Sequence, residues 1–240
     1  MNSKIYRRTI FLCCSIAFLL GVLTQYVENY YRVDLAAMDA FNSIDVETRE
    51  LDGMSIYGDT DSKFGIIFYP GAKVEYKAYE PLMKKLASKG FFCVAIEMPY
   101  NLPFFGIDAA DGIQNKYPLV DKWYMMGHSL GGVMAGTYLV EHYKSYEGLI
   151  LLASYVTDSL VHTDLDVISV YGTEDKILNM HSYEKNKVNY PEDFIEMKIH
   201  GGNHAYFGVY GFQKGDGQAT ITNEQQMQQT VDVLKVLIMK

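Results

Sequence analysis

Cysteine is scarce in this 240-residue sequence, and its three cysteines are not arranged as a stabilising set. Cys13 and Cys14 are adjacent within an apolar run, and Cys93 lies within a strand-like run. Disulfide scaffolds and zinc sites use cysteines in spaced pairs or larger sets. The sequence therefore predicts neither a disulfide framework nor a zinc knuckle.

Charged residues are also few, at 21% of the sequence, whereas hydrophobic residues make up 49%. A chain of this composition buries a sizeable core, which excludes a disordered or a collagen-like protein. An excess of basic residues is absent as well, because the formal net charge is −8 at pH 7. Proteins that follow phosphate backbones carry basic surfaces, so nucleic acid is not an expected partner of the folded part.

One stretch, residues 9–27, has no charged side chain; it follows Lys4, Arg7 and Arg8 and precedes Glu28. As an α-helix it would be about 28 Å long, close to the hydrocarbon thickness of a bilayer. Basic residues before it predict a cytoplasmic N-terminus, with residues 1–27 as a single-pass signal-anchor in the cell membrane and an extracytoplasmic domain after it. The alternative is a cleaved signal peptide and a secreted protein, although no A-x-A pattern follows the run. Residues 28–50 are expected to form a membrane-proximal spacer with some helix.

Residues 51–240 alternate strand-like and helix-like segments, which predicts one α/β domain. Runs such as GIIFY, FFCVAI and GLILLA are apolar throughout. This is typical of a mainly parallel sheet with helices on both faces. The predicted strands are residues 53–57, 64–69, 91–97, 122–126, 148–153, 167–171 and 194–199. The predicted helices are residues 76–89, 107–116, 130–143 and 181–189, and a last helix starts at the capping-box pattern Thr222-x-x-Gln225.

A G-x-S-x-G pattern, within the sequence GHSLGG at 127–132, lies between a predicted strand and a predicted helix. Glycines there leave room for a tight turn from which a serine hydroxyl projects, and the start of the following helix favours negative charge. Ser129 is therefore the candidate nucleophile, and His128 is expected to point elsewhere and be structural. The alternative is a glycine-rich turn that only packs the helix on the strand.

A nucleophilic serine needs a base and a carboxylate that orients the base, and loops after two predicted strands offer both. Asp175, in the turn GTED, is the expected carboxylate, with Glu174 as the alternative. His204, in the loop HGGNH, is the expected base, with His200 as the alternative. The other histidines show no metal-ligand spacing, so neither a metal nor a cofactor is predicted.

Acyl transfer at a serine also requires hydrogen-bond donors for the oxyanion. The backbone N–H of Leu130, directly after the serine, is one expected donor. The second is the backbone N–H of Ala72, in the loop PGAK that follows the strand at 64–69. A simple Pro-Gly turn is the alternative interpretation of this loop.

From about Leu51 to Lys240 the sequence resembles the α/β-hydrolase superfamily, and within it the small single-domain serine hydrolases with a G-H-S-L-G-G nucleophile elbow. The resemblance rests on this elbow, on the segments FYPG at 68–71, MPYNL at 98–102 and GGNHAYFGVYGFQKGDG at 201–217, and on the order Ser129, Asp175, His204. It implies a Ser-His-Asp hydrolase that cleaves an ester, thioester or amide of a small-molecule acyl substrate through a covalent acyl-enzyme. The sequence departs from the commoner pattern at Pro70, where many members have a histidine.

Predicted helix and strands fill the interval between Ser129 and Asp175, so no large lid domain is expected there. Two shorter loops are expected to control access, namely residues 99–111, with Leu102, Phe104 and Phe105, and residues 206–217. Two other functions stay open: an acyltransferase that uses the same three residues, and a catalytically silent binding module of the cell envelope.

Overall fold

An apolar helix forms the first part of the chain. The structure is a computed structural model that describes residues 3–41 and 43–239. It divides into two compact units, Met1–Tyr30 and Tyr31–Lys240. Helix α1, Ser3–Glu28, makes up the first unit, and its segment Arg7–Glu28 is long and apolar enough to cross a membrane. Membrane anchors and signal sequences share this length and composition.

Eight strands form one mixed sheet in the second unit. They are β1 (Thr48–Leu51), β2 (Met54–Tyr57), β3 (Phe64–Tyr69), β4 (Phe91–Ile96), β5 (Lys122–His128), β6 (Gly148–Leu152), β7 (Asp166–Gly172) and β8 (Ile195–Ile199). Their order in the sheet is β1-β2-β4-β3-β5-β6-β7-β8. Strand β2 is antiparallel to β1 and β4, and the other neighbours are parallel. The predicted mainly parallel α/β sheet is therefore confirmed.

Helices cover both faces of this sheet. They are α2 (Leu35–Met38), α3 (Glu80–Ala87), α4 (Ile113–Lys116), α5 (Leu130–His142), α6 (Met180–Asn186) and α7 (Asn223–Ile238). The predicted helix at 76–89 starts as the 3₁₀ turn Tyr76–Tyr79. The predicted helix at 107–116 is split into a 3₁₀ turn, Ile107–Ala110, and α4, because Gly112 between them has a φ of +72°.

The central strands send alternate side chains into two cores. In β3, Ile66 and Phe68 belong to the core under α3 and α7, whereas Ile67 and Tyr69 belong to the core under α5. Both faces of the strand are therefore buried. This explains why its sequence is apolar without alternation.

The segment 31–41, where we expected a spacer, packs into the second unit. Tyr31 forms a parallel bridge with Val74, and its N–H donates to the carbonyl oxygen of Lys73 at 2.7 Å. Farther along, Phe41 is buried in the core under α3 and α7. The compact unit of the structure consequently begins at Tyr31, and not at the expected residue 51.

Candidate active site

Ser129 lies on the turn between β5 and α5, at the carboxyl edge of the parallel strands. Its backbone has φ 51° and ψ −126°, a conformation that residues with a side chain rarely adopt. Two hydrogen bonds hold it there: Ser129 N–H donates to Leu152 O at 2.9 Å, and Ser154 Oγ donates to Ser129 O at 2.6 Å. The turn thus has the strand–turn–helix geometry of a nucleophile elbow.

The glycines around Ser129 are required by close backbone contacts. A Cβ on Gly127 would clash with the backbone of Gly131 and Gly132, and one on Gly131 would clash with the carbonyl oxygen of Pro70. Helix α5 therefore starts directly against both the end of β5 and the loop after β3. These close backbone contacts explain why the positions are glycine, and they bring the turn at Ser129 against the loop after β3.

His204 and Asp175 form a buried pair. His204 Nδ1 is 2.8 Å from Asp175 Oδ2, and both side chains are 1% exposed. The other carboxylate oxygen accepts the N–H groups of Ile177 and Leu178, each at 2.8 Å. Because a carboxylate accepts hydrogen bonds, the proton of a neutral His204 lies on Nδ1 and the lone pair lies on Nε2.

The two alternative residues lie elsewhere. Glu174 accepts a hydrogen bond from Thr173 Oγ1 at 3.1 Å, and His200 is exposed after the end of β8. The structure therefore brings Asp175 and His204 together and leaves Glu174 and His200 out of the pair.

Ser129 and His204 line the same cavity, which has a volume of about 200 Å³. His204 Nε2 is buried and has no hydrogen-bond partner among the residues that the structure describes. A buried polar atom without a partner is unfavourable and indicates a place where a partner binds. The other residues that line the cavity are mostly apolar: Leu130, Val133, Ala153, Ser154, Tyr155, Ile177, Leu178 and Asn179. The cavity therefore suits a small, largely apolar group beside Ser129.

The two expected oxyanion donors lie in loops that touch each other. Leu130 is the first residue of α5, so its N–H has no acceptor within the helix. In the loop after β3, Gly71 N–H donates to Tyr79 Oη at 3.2 Å and Lys73 N–H donates to Asn101 O at 2.6 Å. Within the described residues, the N–H groups of Leu130 and Ala72 have no protein acceptor. The prediction that these two N–H groups donate to an oxyanion stays a prediction.

His128, the neighbour of Ser129, is buried and connects three parts of the site. Tyr79 Oη, which accepts the Gly71 N–H, is 2.8 Å from His128 Nδ1, and His128 Nε2 is 3.0 Å from the carbonyl oxygen of His204. A carbonyl only accepts, so Nε2 carries the proton and Nδ1 accepts from the tyrosine hydroxyl. Burial, and then the neighbouring His204, lower the pKa of His128 well below its usual value. A neutral ring therefore joins the loop after β3, the turn at Ser129 and the loop that carries His204.

Sequence reasoning missed two side chains that hold the loops of the site. Asp216 accepts the N–H groups of Ala205 at 3.0 Å and Lys176 at 3.3 Å, so one carboxylate connects the two loops that carry His204 and Asp175. Gln226 of α7 accepts the N–H of Asn203 at 2.9 Å and donates to its carbonyl oxygen at 2.8 Å. An aspartate between glycines and a glutamine in a helix are common on surfaces. Their roles therefore appear only once the fold buries them.

The mainly parallel sheet, with a serine on the turn after its fifth strand, has the architecture of an α/β hydrolase. The profile of the alpha/beta hydrolase family matches residues 65–228, which is more than half of the chain. The chain belongs to this family, and the resemblance to the α/β-hydrolase superfamily stated from its sequence is confirmed.

Solved structures of other proteins, two hydrolases among them, share the fold. A predicted CIB-like hydrolase from Thermoplasma acidophilum is 14% identical, with 80% of this chain and 98% of that chain covered, at a TM-score of 0.58. A monoacylglycerol lipase from Paleococcus ferrophilus is 13% identical, with 78% of this chain and 98% of that chain covered, also at a TM-score of 0.58. No match was found among the curated proteins. At these identities the likeness concerns the fold alone.

Proposed function

We propose that this chain is a serine hydrolase that cleaves an ester, thioester or amide through a covalent acyl-enzyme on Ser129. One observation carries the proposal. His204, paired with Asp175 through Nδ1, has a buried and unpartnered Nε2, and it lines the same cavity as Ser129. A base oriented in this way beside a serine is the arrangement that activates a hydroxyl. Membership of the hydrolase family supports the same class of reaction.

In the acylation step, Ser129 Oγ attacks the substrate carbonyl carbon while its proton passes to His204 Nε2. Asp175 keeps the ring oriented and stabilises the imidazolium. The N–H groups of Leu130 and Ala72 donate to the oxyanion of the tetrahedral intermediate. His204 then returns the proton to the leaving alcohol, thiol or amine as the bond to the carbonyl carbon breaks.

In the deacylation step, a water molecule gives a proton to His204 Nε2 and attacks the acyl carbon. The ester bond to Ser129 breaks, Oγ regains the proton from His204, and the acid leaves. Transfer of the acyl group to another acceptor would use the same residues, and product analysis in the presence of alcohols distinguishes the two reactions.

The dimensions of the cavity support a short acyl group. At about 200 Å³ the cavity is smaller than the pockets of roughly 300–1,000 Å³ that hold drug-sized ligands, which favours a short acyl group over a long one. Val133 and Leu178 provide apolar contact. Among p-nitrophenyl esters, we therefore expect short chains to be turned over faster than chains of twelve or more carbons.

Labelling with a fluorophosphonate tests the nucleophile and the base. We expect the full-length protein to be labelled, Ser129→Ala to be unlabelled, and His204→Ala to react about 10³-fold more slowly or worse. Glu174→Gln and His200→Ala are matched controls that keep the label, since neither residue belongs to the buried pair. A folded parent that remains unlabelled would contradict the proposal and favour the binding-module alternative.

We also propose that the N-terminal helix is retained as a signal-anchor and that the domain lies outside the cytoplasm. The support is the apolar segment Arg7–Glu28 together with the basic residues at its start. We expect intact mass measurement of the membrane fraction to find the full chain, and added protease to degrade the domain on intact cells. A released protein without the helix would favour the secreted alternative.

A further inference from the structure

The chain is fixed to the edge of the active site directly after the apolar helix. Helix α1 ends at Glu28, and three residues later Tyr31 N–H donates to Lys73 O at 2.7 Å while Tyr31 O accepts the N–H of Glu75 at 2.9 Å. Lys73 is the residue after Ala72, the proposed oxyanion donor. Three extended residues reach at most about 11 Å. The covalent link between the apolar segment and this edge is therefore short.

The same attachment involves the loop of the base. Asp34 N–H donates to Val209 O at 2.9 Å, and Tyr31 Oη accepts the N–H of Lys214 at 3.1 Å. Val209 and Lys214 belong to the loop that follows His204. The first residues after the helix thus bind both the loop after β3 and the loop after His204.

An exposed aromatic cluster lies next to this edge. It is linked to the edge by a hydrogen bond, in which Lys73 N–H donates to Asn101 O. Beside Asn101, the rings of Tyr100 and Phe105 are 5.8 Å apart and those of Phe104 and Phe105 are 4.1 Å apart. Tyr100, Phe104 and Phe105, here called the aromatic rim, are 64%, 46% and 56% exposed. Contiguous exposed apolar side chains indicate an interaction surface.

The backbone that presents the aromatic rim is held in an unfavourable conformation. Tyr100 and Asn101 have φ values of 58° and 55°, and Lys73, which is bonded to this loop, has a φ of 59°. Residues with a side chain rarely adopt this conformation, so the surrounding contacts must fix the loop. The rings are therefore presented by a defined loop structure.

We propose that the aromatic rim docks on the lipid bilayer in which the N-terminal helix is inserted. Aromatic side chains favour the boundary between membrane and water. The short link after Glu28 attaches the edge that carries the rim to a segment suited to a bilayer, which favours lipid over a protein partner as the occupant. This docking, taken together with the proposed function, implies that the acyl substrate enters the site from the membrane interface.

Tryptophan fluorescence tests the docking without any turnover. The full chain is reconstituted in phosphatidylcholine vesicles whose acyl chains carry bromine, a quencher that acts at short range. Phe105→Trp places a reporter in the aromatic rim, and the native tryptophan, Trp123, is buried and provides a common background. Leu119→Trp is the matched control, because Leu119 is 68% exposed but precedes β5 at the opposite edge of the sheet.

We expect bromine to quench the added fluorescence of Phe105→Trp at least about twofold more than that of Leu119→Trp. Equal quenching of the two reporters would overturn the proposal. The proposal would also be overturned if a second copy of the chain covered the aromatic rim and shielded the tryptophan of Phe105→Trp from bromine. Because quenching does not depend on turnover, the measurement can be repeated in Ser129→Ala. Its result is therefore independent of whether the proposed function is correct.

Turnover tests the route of the substrate. For each protein we compare p-nitrophenyl octanoate carried in vesicles with p-nitrophenyl acetate in water and take the ratio of the two rates. We expect the triple substitution Tyr100→Ser, Phe104→Ser and Phe105→Ser to lower this ratio about tenfold, and Leu119→Ser to leave it unchanged. An unchanged ratio in the triple variant would overturn entry from the membrane, whereas loss of both rates in the parent would instead overturn the proposed function.

Discussion

At the scale of single residues, the proposed nucleophile has a backbone conformation that is unfavourable for any side chain. The φ of 51° at Ser129 is imposed by the bonds to Leu152 and Ser154 and by the glycine contacts around the turn. Such strain is stored where surrounding structure overrides local preference, most often at functional sites. The local stability of the elbow is therefore lower than its packing alone would give.

This strain predicts that Ser129→Gly is more stable than Ser129→Ala. Glycine tolerates a positive φ, whereas alanine keeps the strain, so we expect a free energy of unfolding about 1 kcal/mol higher for the glycine variant. Urea unfolding of the two variants measures the difference, and both should lack fluorophosphonate labelling. Equal stability would mean that the turn is not strained at Ser129.

His128 predicts a dependence of stability on pH, because burial lowers its pKa well below the usual value. An unfolded histidine binds a proton near pH 6.5 and folded His128 does not. The free energy of unfolding should therefore fall as the pH drops below about 6.5, by up to about 1.4 kcal/mol per pH unit.

Urea unfolding of the parent and of His128→Gln at several values between pH 7.5 and 5.5 measures this effect. We expect the parent to be the more stable protein at pH 7.5 and the gap between the two to narrow as the pH falls. A difference that stays constant would show that the pKa of His128 is the same in the folded and the unfolded protein.

At the scale of secondary-structure elements, α7 both covers the sheet and positions the loop of the proposed base. Thr222 and Gln225 form a capping box at its start, as the sequence pattern predicts. One residue later, Gln226 is fully buried and satisfies both the N–H and the carbonyl oxygen of Asn203, the neighbour of His204. The helix thus fixes the backbone next to the proposed base.

Replacing Gln226 by leucine should destabilise the fold and slow catalysis together. The change leaves a buried N–H and a buried carbonyl without partners, which costs about 2 to 4 kcal/mol, and it frees the backbone beside His204. Chemical unfolding and turnover of p-nitrophenyl acetate measure the two effects. Gln229→Leu, at an exposed position of the same helix, is the control and should change stability by no more than about 0.5 kcal/mol.

The strands show which elements a sequence predicts well. Seven predicted strands agree with the structure within two residues at each end, and in most of them an apolar run is buried. Strand β1 was missed, since all four of its residues are exposed and only its backbone pairing with β2 makes it a strand. Pairing at an exposed edge has no hydrophobic pattern to reveal it.

At the scale of the whole molecule, the domain includes residues that precede the predicted boundary. Tyr31 binds the loop after β3, and Phe41 fills the core under α3 and α7. These contacts join chain segments that are far apart in sequence. The compact unit of the structure therefore starts before the predicted boundary at residue 51.

Two shortened chains test this boundary. A protein that starts at residue 28 should keep the hydrolysis of p-nitrophenyl acetate, whereas one that starts at residue 51 should be less stable by about 3 kcal/mol or more. Loss of the buried Phe41 ring alone accounts for about 1.5 to 3 kcal/mol of this difference. Urea unfolding and turnover of the two proteins measure the outcome, and equal stability would mean that residues 31–41 are only attached to the surface.

The sequence by itself determined the apolar helix, the parallel sheet and its helices, and the order of Ser129, Asp175 and His204 along the chain. These features depend on local signals, namely hydrophobic periodicity and glycines at a tight turn, which short windows of sequence contain. Tertiary structure pairs His204 with the expected Asp175 and not with Glu174, and it alone decided that Asp216 and Gln226 hold the loops of the site and that Tyr31 is attached beside the loop after β3. Each of these contacts joins residues from different segments, and only the packing of the complete sheet sets the distance between them.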